Sequence, residues 1–375
     1  GKVGRMSISY SGNLSFTPRM TYDKLELMNS KQHVDVSREA YQTGVVLEGN
    51  QDLGYTALAK AYRNREISLD EFTREVKKLE TNNTDWFDIL FRNAVSHNHS
   101  IGISGGNEQA TYHASFGYRE TYNTAKGNEQ KQYTGNVSVS GYLGKAITFG
   151  TNLAGSVSTT KGFTGSDPFT YASSMNRAIP AYNEDGSRFF YKKADNRFLF
   201  NIENELENSG NENTTTSLNA SVNLRWKITD WLNISTQVSY STSNVDGESY
   251  RTEKTNYIAK IRGYDYDEYE AGSDKYNFSE LPNGGELNQS SSKTLSWSWR
   301  NQFSFVKVFN GVHSVNAMFG HEVRSSTQKG SKGTFYGYMP DRGKIFVDIP
   351  PYTNESNPPR LNSKYRSTPT ITDTE

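Results

Sequence analysis

From Leu218 the chain alternates with a period of two. Leu218, Ala220, Val222, Leu224, Trp226 and Ile228 fall on one parity, and Ser217, Asn219, Ser221, Asn223, Arg225 and Lys227 on the other. Successive side chains of a strand point to opposite faces, so this segment has one apolar face and one polar face. After Thr229-Asp230 the pattern resumes, with Leu232, Ile234, Thr236, Val238 and Tyr240 against Asn233, Ser235, Gln237, Ser239 and Ser241, which predicts a hairpin.

The same alternation recurs along the chain. It marks Met6 to Phe16, Ile101 to Ile103, Tyr112 to Tyr118, Tyr133 to Leu143, Ile147 to Val157, Leu295 to Phe305 and Val315 to Phe319. Nine strands are predicted, most of about 12 to 15 residues, well above the usual mode of about 5 to 6. Their connections alternate in length. Tight turns are expected at Gly105-Gly106-Asn107-Glu108, Gly144-Lys145, Thr229-Asp230 and Asn310-Gly311, where Gly, Asn and Asp accept positive φ. Long connections are expected over about 18 to 96, 122 to 129, 160 to 214, 246 to 290 and from 327 onward. All the long loops therefore lie at one end of an antiparallel sheet.

Long strands, an apolar face, a polar face and one-sided loops describe a transmembrane β-barrel with long extracellular loops. This fold also explains a composition otherwise awkward for 375 residues: only 34% hydrophobic, yet 13% aromatic. A barrel wall needs one apolar face per strand and no soluble core. A soluble β-sandwich shares the alternation but not the strand length or the sorting of loops. Equal numbers of acidic and basic residues, 41 each, offer no basic footprint for nucleic acid. The absence of cysteine excludes disulfide scaffolds and thiol chemistry. No nucleophile elbow, zinc-protease motif or phosphate loop is present, so neither an enzyme nor a cofactor is expected.

Three segments resemble the early barrel of SusC/RagA-type TonB-linked outer-membrane transporters. They are Thr84-Asp85-Trp86-Phe87-Asp88, His97 through Asn107 with its Ile101-Gly102-Ile103-Ser104-Gly105-Gly106 run, and Ala110-Thr111-Tyr112-His113-Ala114-Ser115-Phe116-Gly117-Tyr118. The opening, Gly1 to Tyr10, looks like the entry to that family's first barrel strand. The resemblance is specific over residues 84 to 118 and elsewhere is one of strand and loop order. It implies a barrel of about 22 strands, a plug preceding residue 1, a SusD-like surface lipoprotein as partner, and energisation through TonB. It further implies a Bacteroidetes outer membrane and an oligosaccharide or peptide as cargo. Signal peptide, plug, TonB box and final strands have no counterpart here, so residues 1–375 are expected to be the front portion of the barrel domain. The coding sequence upstream of Gly1 is expected to encode a plug and signal peptide; an initiator leading straight into Gly1 would refute the fragment reading. A lectin- or adhesin-like β-rich carbohydrate-binding protein is the alternative, with a β-sheet glycosidase behind it.

Candidate ligand residues fall in the loop from 160 to 214. Phe169, Tyr171, Tyr182 and Phe190 could stack on sugar rings, while Asn176 and Arg177 bond hydroxyls. The same residues could instead hold the loop folded. Asn219, Asn223, Arg225, Gln237 and Gln302 lie on the polar parity and are expected to line the lumen or contact the plug. Ser68 with Glu71 forms a capping box ahead of Leu69, Phe72, Val76 and Leu79, predicting one short helix in the first loop, packed on its own barrel or serving as a lid. Trp86, Phe87 and Phe91 are expected to anchor that loop. The acidic run Tyr264 to Glu270 lacks calcium-loop spacing and reads as a solvated loop. His97, His99 and His113 could approach one another across the Gly105-Gly106 hairpin, but no metal site is expected of them.

Overall fold

The computed structural model describes residues 4–45 and 53–347, and the backbone of 370–374. In chain order, β1 (Gly4–Thr17) precedes α1 (Ser30–Thr43), α2 (Gly54–Arg63), α3 (Leu69–Asn82) and α4 (Trp86–Leu90). Then come β2 (Ala94–Gly106), β3 (Ala110–Tyr122), β4 (Glu129–Leu143), β5 (Ile147–Gly162) and α5 (Pro168–Ser174). The short strands β6 (Tyr191–Lys192) and β7 (Leu199–Phe200) form a separate ribbon ahead of α6 (Ile202–Glu207). The chain continues through β8 (Ser209–Lys227), β9 (Leu232–Arg251), α7 (Asn256–Arg262), α8 (Asp274–Asn277), β10 (Gly285–Phe309) and β11 (His313–Met339). Two short strands, β12 (Ile345–Phe346) and β13 (Thr370–Thr374), both pair with β11.

Nine long strands pair antiparallel in the order β1-β2-β3-β4-β5-β8-β9-β10-β11, an open meander with β1 at one edge. The register keeps parity across the whole width. One row runs Ile8, Ile103, Ala114, Val137, Leu153, Ala220, Tyr240, Trp297, Ser325. Its neighbour, one residue along, runs Ser9, Gly102, Ser115, Asn136, Ala154, Asn219, Ser241, Ser296, Ser326. A slip of one residue at any strand would exchange the two faces from there on.

The apolar face packs against no second sheet among the described residues. Leu218 is 40% exposed and Trp226 51%. Trp297 and Trp299 are likewise exposed on this face and are not core residues; the Trp299 indole donates to Thr236 Oγ1 at 3.0 Å. The arrangement is that of a partial barrel wall and excludes the sandwich. On β10 the apolar positions extend from Leu295 to Phe305, ten residue steps. At a rise of about 3.4 Å and a tilt of about 45° they cover about 24 Å, the height of a hydrocarbon core.

The four tight turns occur where expected, with Gly144 at φ 65°, Asn310 at 53° and Gly311 at 68°. The strands differ from expectation at the loop end. β10 and β11 are 25 and 27 residues long, so the segment after 327 continues as strand to Met339, and residues 285–290 and 209–214 likewise belong to strands. These extensions lack the apolar signal because they stand beyond the apolar band. Their outward face carries Glu212, Glu248 and Gln289, and the cross-strand run Glu129, Lys161, Glu212 is linked by ion pairs of 3.9 and 3.7 Å.

Among its described residues the first loop also holds four α-helices, where one was expected. Ser68 caps α3, its Oγ accepting the Glu71 N–H at 3.1 Å, but the expected capping box is only half made, since the Glu71 side chain does not return to the Ser68 N–H. Asn29 and Gln32 form a full capping box on α1, whose weak apolar stripe, Val34 and Ala40, left little periodicity to read.

Placing a charge in the apolar band should cost far more than placing it on the opposite face. In lipid vesicles, Val222→Lys is expected to lower stability to guanidinium by about 2–4 kcal/mol, and the adjacent Ser221→Lys by less than half of that. Equal losses would contradict the assignment of the lipid-facing side.

Candidate functional site

The packed apolar interior of the chain lies in the long loops, at the opposite end of the sheet from the tight turns. α4 begins with Asp85, whose side chain accepts the Asp88 N–H, and buries Trp86, Phe87 and Leu90. With Phe91 these side chains form a cluster with Ala172, Ala181, Phe200 and Ile202 from the connection between β5 and β8. The first and third long loops are thus one folded body. A second cluster joins α1, α2 and α3 through Val34, Tyr55, Ala59 and Val76, closed by Ala178 of the third loop. So α3 packs on its neighbouring helices and the third loop, and Trp86, Phe87 and Phe91 anchor as expected.

Polar contacts lock the two loops together. Thr84 Oγ1 donates to the Ile179 carbonyl at 2.6 Å, and the Thr84 N–H to the Arg177 carbonyl at 2.9 Å. The chain reversal at Ala178-Ile179-Pro180-Ala181 is buried against this seam. The loop between β9 and β10 joins through Asn256. Its Nδ2 donates to the Phe198 and Leu199 carbonyls, and its backbone N–H to Glu205 Oε1 at 2.8 Å.

The candidate loop residues divide into two groups. Tyr171 is edge-on to Trp86, with centroids 5.2 Å apart, and burial pushes its hydroxyl far above the usual phenol range. Asn176 Oδ1 accepts the Ala178 N–H at 2.8 Å. The Arg177 guanidinium lies over the Tyr22 ring at 4.0 Å and donates to the Thr84 carbonyl. These three are occupied with holding the cap together. Phe169, Tyr182 and Phe190 keep exposed surface. The Tyr182 hydroxyl is raised to about 12, first by burial and then by the nearby Glu203 carboxylate.

The five predicted lumen residues share the polar face. Asn223, Gln237 and Arg300 form one cross-strand row and Arg225, Ser235 and Gln302 the next, with Asn219 further toward the loops. This face is mostly amide and hydroxyl, bonded between strands as in Ser156–Ser217 at 2.8 Å and Asn136–Asn152 at 2.9 Å. Arg300 is paired with Glu322 at 2.9 Å. At the loop end the face deepens into adjoining hollows of about 520 and 380 Å³ that share Asn211 and Asn213. The loop-end extensions lining them were the part missed in sequence; their only signal was a run of Asn, Ser and Thr.

His113 sits on the polar face opposite Ser104 and Ser138, whereas His97 and His99 lie on the apolar parity, so the three do not converge. Among the described residues no group of three potential ligands could hold a metal ion. The acidic run is partly built into the cap: Arg262 lies over Tyr264 and Tyr266, and Asp265 accepts the Leu199 N–H at 2.8 Å.

Burial raises the Glu205 carboxyl above its ordinary 4.5. Its contribution is therefore fully present below the unfolded value near 4.5 and is lost as pH rises through the higher folded value. Glu205→Gln keeps an acceptor for Asn256 without the buried charge. The variant should protect the Asn256 amide from hydrogen exchange better than the wild type near pH 7 and equally near pH 4; equal or weaker protection at neutral pH would contradict this.

No protein-family model matches the chain. The TonB-dependent receptor SusC of Bacteroides thetaiotaomicron is 29% identical over 141 residues, 37% of this chain and 11% of that receptor. The fold is shared with the RagAB peptide transporter, at a TM-score of 0.69 and 16% identity. It is also shared with the RagAB peptide importer in its closed-closed state, at 0.68 and 17%, and its open-open state, at 0.68 and 16%. Each of these alignments covers 100% of this chain and 39% of the other. The chain thus spans well under half the length of the proteins it matches: over 141 residues it is similar to the receptor SusC, and its open antiparallel sheet with one-sided loops shares the barrel fold of RagAB.

Proposed function

We propose that this chain forms the front wall and much of the extracellular cap of an outer-membrane importer driven through TonB. Its cargo is an oligomeric nutrient, an oligosaccharide or a peptide, captured with a SusD-like surface lipoprotein. The observation that carries this reading is the separation of surfaces. An apolar band of bilayer height covers one face, an amide and hydroxyl field covers the other, and every long loop gathers at one end. The first surface suits lipid, the second suits a polar solute in transit, and the loop end suits capture. In the importer, Asn219, Asn223, Arg225, Gln237 and Gln302 line the passage or meet the plug, and Phe169, Tyr182 and Phe190 present aromatic surface at its mouth. Tyr171, Asn176 and Arg177 support them from behind. The chain acts by binding and passage, not by catalysis. The proposed outer-membrane location and lipoprotein partner draw support from the likeness to SusC and RagAB.

Deleting the gene in its host is expected to abolish growth on one class of oligomer, oligosaccharide or peptide, and loss of TonB should reproduce the defect. Replacing Tyr182 and Phe190 together by Ala should lower uptake by about tenfold at unchanged barrel abundance. Unchanged growth of the deletion strain on both oligosaccharide and peptide mixtures would sink the importer reading.

A further inference from the structure

The larger hollow sits where β8 to β11 rise beyond the apolar band, on their polar face. Its floor is the cross-strand row Asn213, Gly247, Ser290 and Lys332. Gly247 gives it depth: a Cβ there would stand 2.6 Å from Asn213 Oδ1 and 2.8 Å from Ser290 Oγ, so any larger residue would fill the space between them. The row above is already committed internally. Asn288 Oδ1 accepts from Thr334 at 2.6 Å and its amide donates to Glu286 at 2.8 Å, while Asn213 Nδ2 donates to Asn211 at 2.9 Å.

Lys332 differs from its surroundings. It supplies the only ammonium in the floor row, and no carboxylate among the described residues lies within ion-pair distance of it. The nearby acids are engaged elsewhere. Glu248, whose backbone borders the hollow, lies on the opposite parity and accepts from Gln289 at 2.8 Å; Glu286 is held by Arg251 at 3.0 Å and by the Tyr257 hydroxyl, and Asp167, in the adjoining hollow, accepts from the Thr170 N–H and hydroxyl. A cation with no carboxylate partner among the described residues, beside hydroxyl groups in a recess, is arranged to receive an anion with further hydrogen-bond capacity.

We propose that this hollow is a subsite for a carboxylate carried by the cargo, bound by the Lys332 ammonium with the Ser290 hydroxyl donating a second bond. The proposal rests on the importer reading and refines it by assigning a charge preference to one place on the wall. A carboxylate can come from a peptide C-terminus or from a uronate residue, and the two sources are separable.

The test uses the complete transporter purified from outer membranes. The probes are tetra-alanine against its C-terminal amide, and trigalacturonate against its methyl ester. In one pair the free acid should bind at least about tenfold more tightly than its neutral form, as a charge-assisted contact warrants, and which pair does so identifies the source. Lys332→Gln should reduce the acid to the affinity of the neutral form and leave the neutral form unchanged. Gly247→Ala should weaken both forms. The subsite is overturned if neither acid gains over its neutral form in the wild type, absence of binding included, if Lys332→Gln retains the gain, or if Gly247→Ala changes nothing. TonB-dependent uptake of neutral cargo is read separately: its persistence alongside a failed acid preference overturns the subsite alone, and its absence overturns the reading beneath it.

Discussion

Everything in this chain depends on a register held across nine strands, which shifts only near strand ends, between Gly4 and Ser7 and between Gly285 and Glu286. Each long strand exchanges backbone hydrogen bonds with its neighbours, so polar backbone groups inside a hydrocarbon layer are satisfied within the sheet. The same register stacks apolar side chains into bands and polar ones into bands between them. Ile8 and Trp297 stand in one row although eight strand-to-strand steps span the row's nine members from Ile8 to Ser325. The alternation in sequence is the local cause, and the pairing converts it into two continuous surfaces.

A wall of this kind has no interior of its own, so buried packing is displaced into the loops. Phe87, Leu90, Ile202 and Ile258 are among the most deeply buried side chains, and all lie outside the long strands. The long loops are folded bodies with aromatic clusters and capped helices. Seams such as Thr84 on Ile179 and Asn256 on Leu199 join loops far apart in sequence. Tyr182 and Phe190 remain exposed on this folded cap.

Some features were legible early because they are local. Strand parity, tight turns at Asn310-Gly311 and Gly144-Lys145 and the Ser68 cap each depend on a few neighbouring residues. The outer ends of β8 to β11 were not legible. Residues such as Ser209 to Ser217 and Thr327 to Thr334 carry polar side chains on both faces, because both faces there stand beyond the apolar band, and a segment with two polar faces has no period to detect. Their strand character comes from pairing with the neighbouring strand. The separate duties of Tyr171, Asn176 and Arg177 were equally hidden, since an aromatic or an amide in a loop looks the same whether it faces a ligand or a partner loop.

By itself, the sequence determined the fold class, the sorting of loops to one end and the face to which each strand residue belongs, because a period of two is written residue by residue. Only the tertiary structure decided how far the strands rise above the apolar band, which loop residues are consumed in packing the cap, and that Asn213, Gly247, Ser290 and Lys332 share one recess. Those outcomes depend on contacts between residues tens to more than a hundred positions apart, and a single strand's pattern carries no trace of its partners.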